Sequence, residues 1–178
     1  MHITLRILGT ILVFVAVTPF QLLPPPGDRE IRTVHWELRN ESEIWLTLEP
    51  SDAKGHRAPL LTFTQRFPGR VPPQQPTDVE VRAYAGMFWS PRVEFWLLLN
   101  DTHKIDLVSS FSQVFGLIQG TPSNYLSETI PIATLKQIAS ARRITGNALG
   151  FEFELTSAQG AAIAAFLERM KSRTPVRD

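Results

Sequence analysis

The sequence predicts a mainly β domain: an antiparallel β-sandwich with a short inserted helix and a closing C-terminal helix, preceded by an N-terminal hydrophobic helix. Three observations carry this. Apolar residues recur at every second position through most of residues 31–155, and polar turn-forming clusters separate the runs. After Thr156 the period changes to that of a helix.

The elements follow in order. Residues 7–23 form an apolar run behind Arg6, the layout of a secretory signal or signal anchor. As a helix the run spans only about 25 Å, marginal for a bilayer unless Arg6 snorkels. Ala16 and Thr18 offer a weak cleavage pattern spoiled by Pro19, so cleaved signal and retained anchor both stay open. Arg29 and Arg32 offset Arg6 and leave the orientation unassigned. Residues 24–30, with "PPPG", read as a proline-rich spacer, residues 31–171 as the β-rich domain and residues 172–178 as a flexible tail.

Within the domain Val34, Trp36 and Leu38 alternate with polar residues and predict a half-buried strand. "NESE" turns the chain, and Ile44, Leu46 and Leu48 return it as an antiparallel partner. Leu61, Phe63 and Phe67 mark a third strand, and Val79, Val81, Ala83 and Ala85 a fourth. The stretch 92–108, "RVEFWLLLNDTHKIDLV", reads as a second hairpin turning at residues 100–103. Residues 109–127, rich in serine, glycine and asparagine, read as a loop or a ragged edge strand. "SETIPI" resumes extended chain, "ATLKQIASARR" places Leu135, Ile138, Ala139 and Arg142 on one helical stripe, and "RITGNAL" re-enters a sheet. In "GFEFELTSAQGAAIAAFLERM", Phe151, Phe153 and Leu155 share one strand face and Glu152 and Glu154 the other. Thr156 and Gln159 have capping-box spacing, and Ile163, Phe166, Leu167 and Met170 fall on one helix face.

Composition bounds the function. The chain has 178 residues, 43% hydrophobic, with a formal net charge of +1 and no cysteine. That suffices for one ordinary core, excludes disulfides and thiol catalysis, and carries no nucleic-acid footprint.

Residues 128–155, with Leu135, Ile138, Ala139, Ala141, Gly146, Glu152, Phe153 and Leu155, carry a resemblance, and a looser one extends over residues 36–170. The pattern resembles a group of small uncharacterised bacterial exported proteins. The resemblance implies export and a β-rich fold; it transfers no activity.

Chemistry-bearing motifs are sparse. His2, His35, His56 and His103 show no metal-site spacing, and His103 follows Asp101 in a turn-forming triplet. There is no nucleophile elbow and no phosphate-cradling glycine loop, since Gly116, Gly120, Gly146 and Gly150 are scattered. A nucleophile and base could still assemble from distant residues. Glu152 and Glu154, roughly 7 Å apart on one strand face, read as a solvated side and not as a catalytic pair. Lys136, Arg142 and Arg143 read as a solvated helix end. Of the tryptophans, Trp36 falls on the apolar face expected to be core. Trp45 and Trp96 fall on the opposite faces of their strands, where a second layer covers them or a partner stacks on them; they are the candidate partner contacts.

The expected function is a non-catalytic cell-envelope protein, membrane-anchored or periplasmic, that binds or positions another envelope component. It contacts the membrane through residues 7–23, and a protein is its expected partner. No cofactor, metal or nucleic acid is implied. A structural assembly subunit of a membrane complex and an exported hydrolase are the rival readings.

Overall fold

The computed structural model describes residues 29–52, 54–55, 58–84, 94–107, 110–118 and 121–176. The apolar run 7–23, His2, His56, Ala85 and Trp89 lie outside them. Among the described residues no helix is long and apolar enough to cross a membrane.

The domain is mainly β, with two antiparallel sheets and two helices, the second C-terminal. Strands β1 (Ile31–Trp36), β2 (Glu41–Leu48), β3 (Leu60–Pro68) and β4 (Asp78–Tyr84) run in sequence as a meander. β5 (Phe95–Leu99) and β6 (His103–Asp106) leave it for a second sheet. β7 (Ser110–Ile118) and β8 (Thr121–Pro131) return to the first, giving the order β1-β2-β3-β4-β8-β7. After α1 (Ile132–Ser140), β9 (Ile144–Ala148) and β10 (Phe151–Leu155) complete the small sheet in the order β10-β9-β5-β6. α2 (Ser157–Lys171) follows.

Alternation decides which sides are buried. In β2 and β3, Ile44, Leu46 and Leu48 lie beside Leu61 and Phe63, and Val81 and Ala83 extend the apolar face across β4. α2 packs on β2 and β10, α1 on β4 and β8, and the helices pack on each other. Phe95, Leu97, Ile144 and Phe153 of the small sheet join the same continuous core. The capping box is present: Thr156 Oγ1 accepts from Gln159 N at 3.2 Å, and Gln159 Oε1 accepts from Thr156 N at 3.0 Å. Buried Gln159 also donates through Nε2 to the Glu49 carbonyl at 3.0 Å, which ties the helix start to the end of β2.

Several expectations are corrected. Leu38 is 93% exposed and Trp36 only half-buried. β1 aligns Ile31 with Leu46, so Ile31, Thr33 and His35 take the core side, while Trp36 faces the other way opposite Glu41. The strand ends at Trp36 because Glu37–Arg39 forms a 3-10 turn. Asn40 closes it at φ 47°, a left-handed conformation that asparagine tolerates, so the turn precedes "NESE". Residues 110–118 and 121–127 are strands, not a loop. β7 is an edge strand with a register shift at Val114–Gly116, which fits the ragged-edge alternative, but β8 is an inner strand of eleven residues. Arg142 lies beyond α1 and is exposed. The segment after α2 is not wholly solvated. Val176 is 2% exposed, and its N–H donates to the Arg70 carbonyl at 2.9 Å.

Candidate functional site

The described residues carry two polar surfaces and one part-buried polar pair. The first surface is the outer face of the large sheet, where Trp45 sits half-buried. Charges alternate across neighbouring strands. Glu43 accepts from Arg66 Nε at 2.6 Å, Arg66 reaches Glu80 at 3.3 Å, and Glu80 accepts from Arg82 Nε and Nη2 at 2.7 and 2.8 Å. Arg82 also lies 5.2 Å from the centroid of the Tyr125 ring. Burial alone would lower the Arg82 pKa, but hydrogen bonds and charge from Glu80 and Tyr84 hold it above its ordinary value. Acids and bases alternate here and satisfy each other within the face. Trp45 lies beside this network, in line with Thr64 and Glu80.

The part-buried pair joins His35 and Ser42, which the strand pairing places opposite one another. His35 Nδ1 stands 2.9 Å from Ser42 Oγ, and Ser42 Oγ donates to the Gly69 carbonyl at 2.6 Å. A hydroxyl has one hydrogen, so the histidine must be the donor. A nucleophilic serine needs the reverse polarity, with its proton aimed at the imidazole. Ser42 is also fully buried. The pair is a strut between β1, β2 and the loop after β3. Ser42→Ala is expected to cost about 1–2 kcal/mol in urea unfolding, because a half-buried carbonyl and an imidazole N–H lose their partner.

The second surface is a groove of about 780 Å³ beside the small sheet. β10 forms one side, the loop carrying Asp52, Lys54 and Ala58 another, and Trp96, Thr145 and Asp101 contribute further lining. Turn chemistry holds it in shape. Leu149 and Gly150 have φ of 57° and 84°, so Ala148 and Phe151 close a two-residue hairpin. Asn100 and Asp101 also adopt positive φ, 51° and 61°, at the β5–β6 turn.

That turn is latched to the loop between α1 and β9. Asn100 Oδ1 accepts from the N–H groups of Arg142 and Arg143 at 2.9 and 3.3 Å, and Asn100 N donates to the Arg143 carbonyl at 2.9 Å. The Arg143 guanidinium then spans the groove wall. Nη1 meets Asp101 Oδ1 at 3.0 Å, and Nε meets Glu154 Oε1 at 3.0 Å. Bonds first from Glu154 and then from Asp101 raise its pKa above the ordinary arginine value. Residues 142 and 143 are therefore not merely a solvated helix end: Arg143 joins β10 to the β5–β6 turn. Sequence spacing gives no sign of this, since its partners lie far apart in the chain.

Trp96 lies on the outer face of β5, half-buried, with Lys104 Nζ 5.6 Å from its ring centroid and Asp106 2.6 Å from that ammonium. The structure thus separates the two candidate contacts. Trp96 lines the groove; Trp45 belongs to the other sheet. Glu152 and Glu154 are both exposed, on the same face as Trp96, as their alternation implies. His103 begins β6 and is exposed. Among the described residues no group of three or more His, Cys, Asp or Glu converges to hold a metal.

No family model, curated protein or solved structure matches this chain.

Proposed function

We propose that the protein is a non-catalytic component of a bacterial cell envelope, exported or membrane-anchored through residues 7–23, that binds or positions another envelope component. In this reading the β-sandwich-like domain is the binding part and the proline-rich spacer at residues 24–30 holds it off the membrane. One observation carries the reading: a groove lined by Trp96, by carboxylates and by an arginine whose bonds are already made. An indole beside fixed polar groups recognises a surface through stacking and hydrogen bonding. Arg143, committed to Asp101 and Glu154, supports the walls and is not spare for proton transfer. The secretory layout of the first residues supports the location.

Trp96→Ala is expected to reduce recovery of the partner about tenfold in a pull-down of the full-length, detergent-solubilised protein from its native membrane, while Trp45→Ala leaves recovery unchanged. Equal recovery with both variants would remove the groove from the reading. Recovery of the full chain from the soluble cytoplasmic fraction would remove the envelope.

A further inference from the structure

We infer that the groove receives an extended, basic polypeptide segment of the partner, which pairs with the free edge of β10 at Glu152. The inference rests on the binding role proposed above and names the chemistry of what is bound.

The backbone supplies the first argument. The two-residue turn makes Ala148–Phe151 a hydrogen-bonded pair, and in an antiparallel ladder such pairs alternate. Phe151, Phe153 and Leu155 therefore spend their N–H and C=O on β9, whereas those of Glu152 and Glu154 point outward. The outward N–H of Glu154 is already used, since it donates to the Ser51 carbonyl at 3.2 Å in an isolated antiparallel bridge. The chain then turns: Asp52 Oδ1 accepts from Lys54 N at 2.8 Å, and the Asp52 carbonyl accepts from Gly55 N at 2.9 Å. One step along the edge, the N–H and C=O of Glu152 meet no partner among the described residues. They open beside the groove that β10 lines. A fifth strand has thus been started by Ser51 and left for another chain to continue. Exposed sheet edges capture peptides in this way.

Charge supplies the second argument and selects the occupant. Among the described residues Asp52, Asp101, Glu152 and Glu154 line the groove against Lys54 and Arg143, so that lining is negative on balance. Arg143 already offsets Asp101 and Glu154. An incoming residue opposite Glu152 shares its face with Glu152 and Trp96. A lysine or arginine there pairs with the Glu152 carboxylate. The open edge is short, so backbone pairing fixes register and side chains supply selectivity.

The test uses the full chain in detergent and synthetic eight-residue peptides of alternating valine with lysine, or valine with glutamate. The lysine peptide is expected to bind about tenfold or more tighter than the glutamate peptide at low salt. Methylating its alternate backbone amides on the pairing edge should abolish binding with side chains unchanged. Glu152→Pro removes one outward N–H and no β9–β10 hydrogen bond, so it should fold and bind about tenfold more weakly than Glu152→Gln, which keeps that N–H. Unchanged binding of the methylated peptide, or equal affinities for Glu152→Pro and Glu152→Gln, would overturn edge pairing. Should Glu152→Pro fail to fold, the methylated peptide decides alone. Preference for the glutamate peptide would overturn the basic occupant. Loss of partner recovery with Trp96→Ala alongside failure of the lysine peptide would retain the envelope-binding role and reject this inference.

Discussion

Phe166→Ala is expected to remove about 3–5 kcal/mol of stability, a large part of what a domain of this size has in reserve. Phe166 is fully buried, and its ring centroid lies 6.4 Å from that of Phe63, tilted by 55°. Phe63 sits at the centre of the apolar face of the large sheet, between Leu46 on β2 and Val81 on β4. Ile163, Leu167 and Met170 flank Phe166 on the same buried helix face. Truncation leaves a cavity that neither sheet nor helix can close by moving alone, because both are held by their own ladders and caps. Urea unfolding of the full chain in detergent measures the loss. An unchanged midpoint would mean that α2 presents this face to a partner and does not pack on the sheet.

The second large effect is expected at Gly146. A methyl there would stand 2.6 Å from Phe153 Cζ, 2.8 Å from the Trp96 carbonyl oxygen and 2.9 Å from Leu97 Cδ2. Phe153 lies directly opposite on β10 and Leu97 on β5, so the missing side chain lets the aromatic ring fold over β9. The leucine and the ring can turn aside. The carbonyl belongs to the neighbouring strand and cannot, short of opening the β5–β9 ladder. Gly146→Ala should therefore destabilise by about 2–3 kcal/mol, at the upper end for an overpacked core. Adding Phe153→Ala should restore only part of it, since the backbone clash persists; full restoration in a double-mutant cycle would show that the ring alone was the obstacle. Because Gly146 and Phe153 also line the groove, the same variant should weaken peptide binding there.

Much of this fold is legible in alternation. Ile44, Leu46, Leu48, Leu61, Phe63, Val79 and Val81 can be assigned to one buried face from spacing alone, and each is buried. The closing helix is equally plain, since Thr156 and Gln159 announce its start and Phe166 its buried side. Errors arise where a neighbouring strand decides. Period-two spacing gives Trp36 and Leu38 the same status as Ile44, but the better alignment of Ile31 with Leu46 turns β1 over and pushes Leu38 into a turn. β8 escapes notice because its extended state comes from pairing with β4 and β7, while its serines and asparagine suggest a loop. In the groove, Trp96 can be singled out by its place opposite Phe95 and Leu97. Arg143 cannot, because its role depends on Asp101 and Glu154 arriving from separate hairpins. Val176 is hidden in a charged terminus whose composition suggests solvent, and one carbonyl of Arg70 holds it down.

The order of strands has a consequence for how the chain assembles. The large sheet's meander, β1 to β4, joins near neighbours, and each hairpin of the small sheet closes over a few residues. The two small-sheet hairpins, β5–β6 and β9–β10, meet across the β5–β9 seam and the Arg143 clamp beside it, and between them lies the whole β7–β8–α1 excursion. Closing that seam constrains a long intervening loop before any packing compensates for it. Both hairpins can therefore form early, while their union is the slow, non-local event. Until it occurs the β9 edge is bare and the Arg143 clamp has no Asp101 to grip, so the groove comes into being at the last stage of folding. If the groove binds a partner as proposed, a newly made chain is unable to engage it before its own architecture is complete.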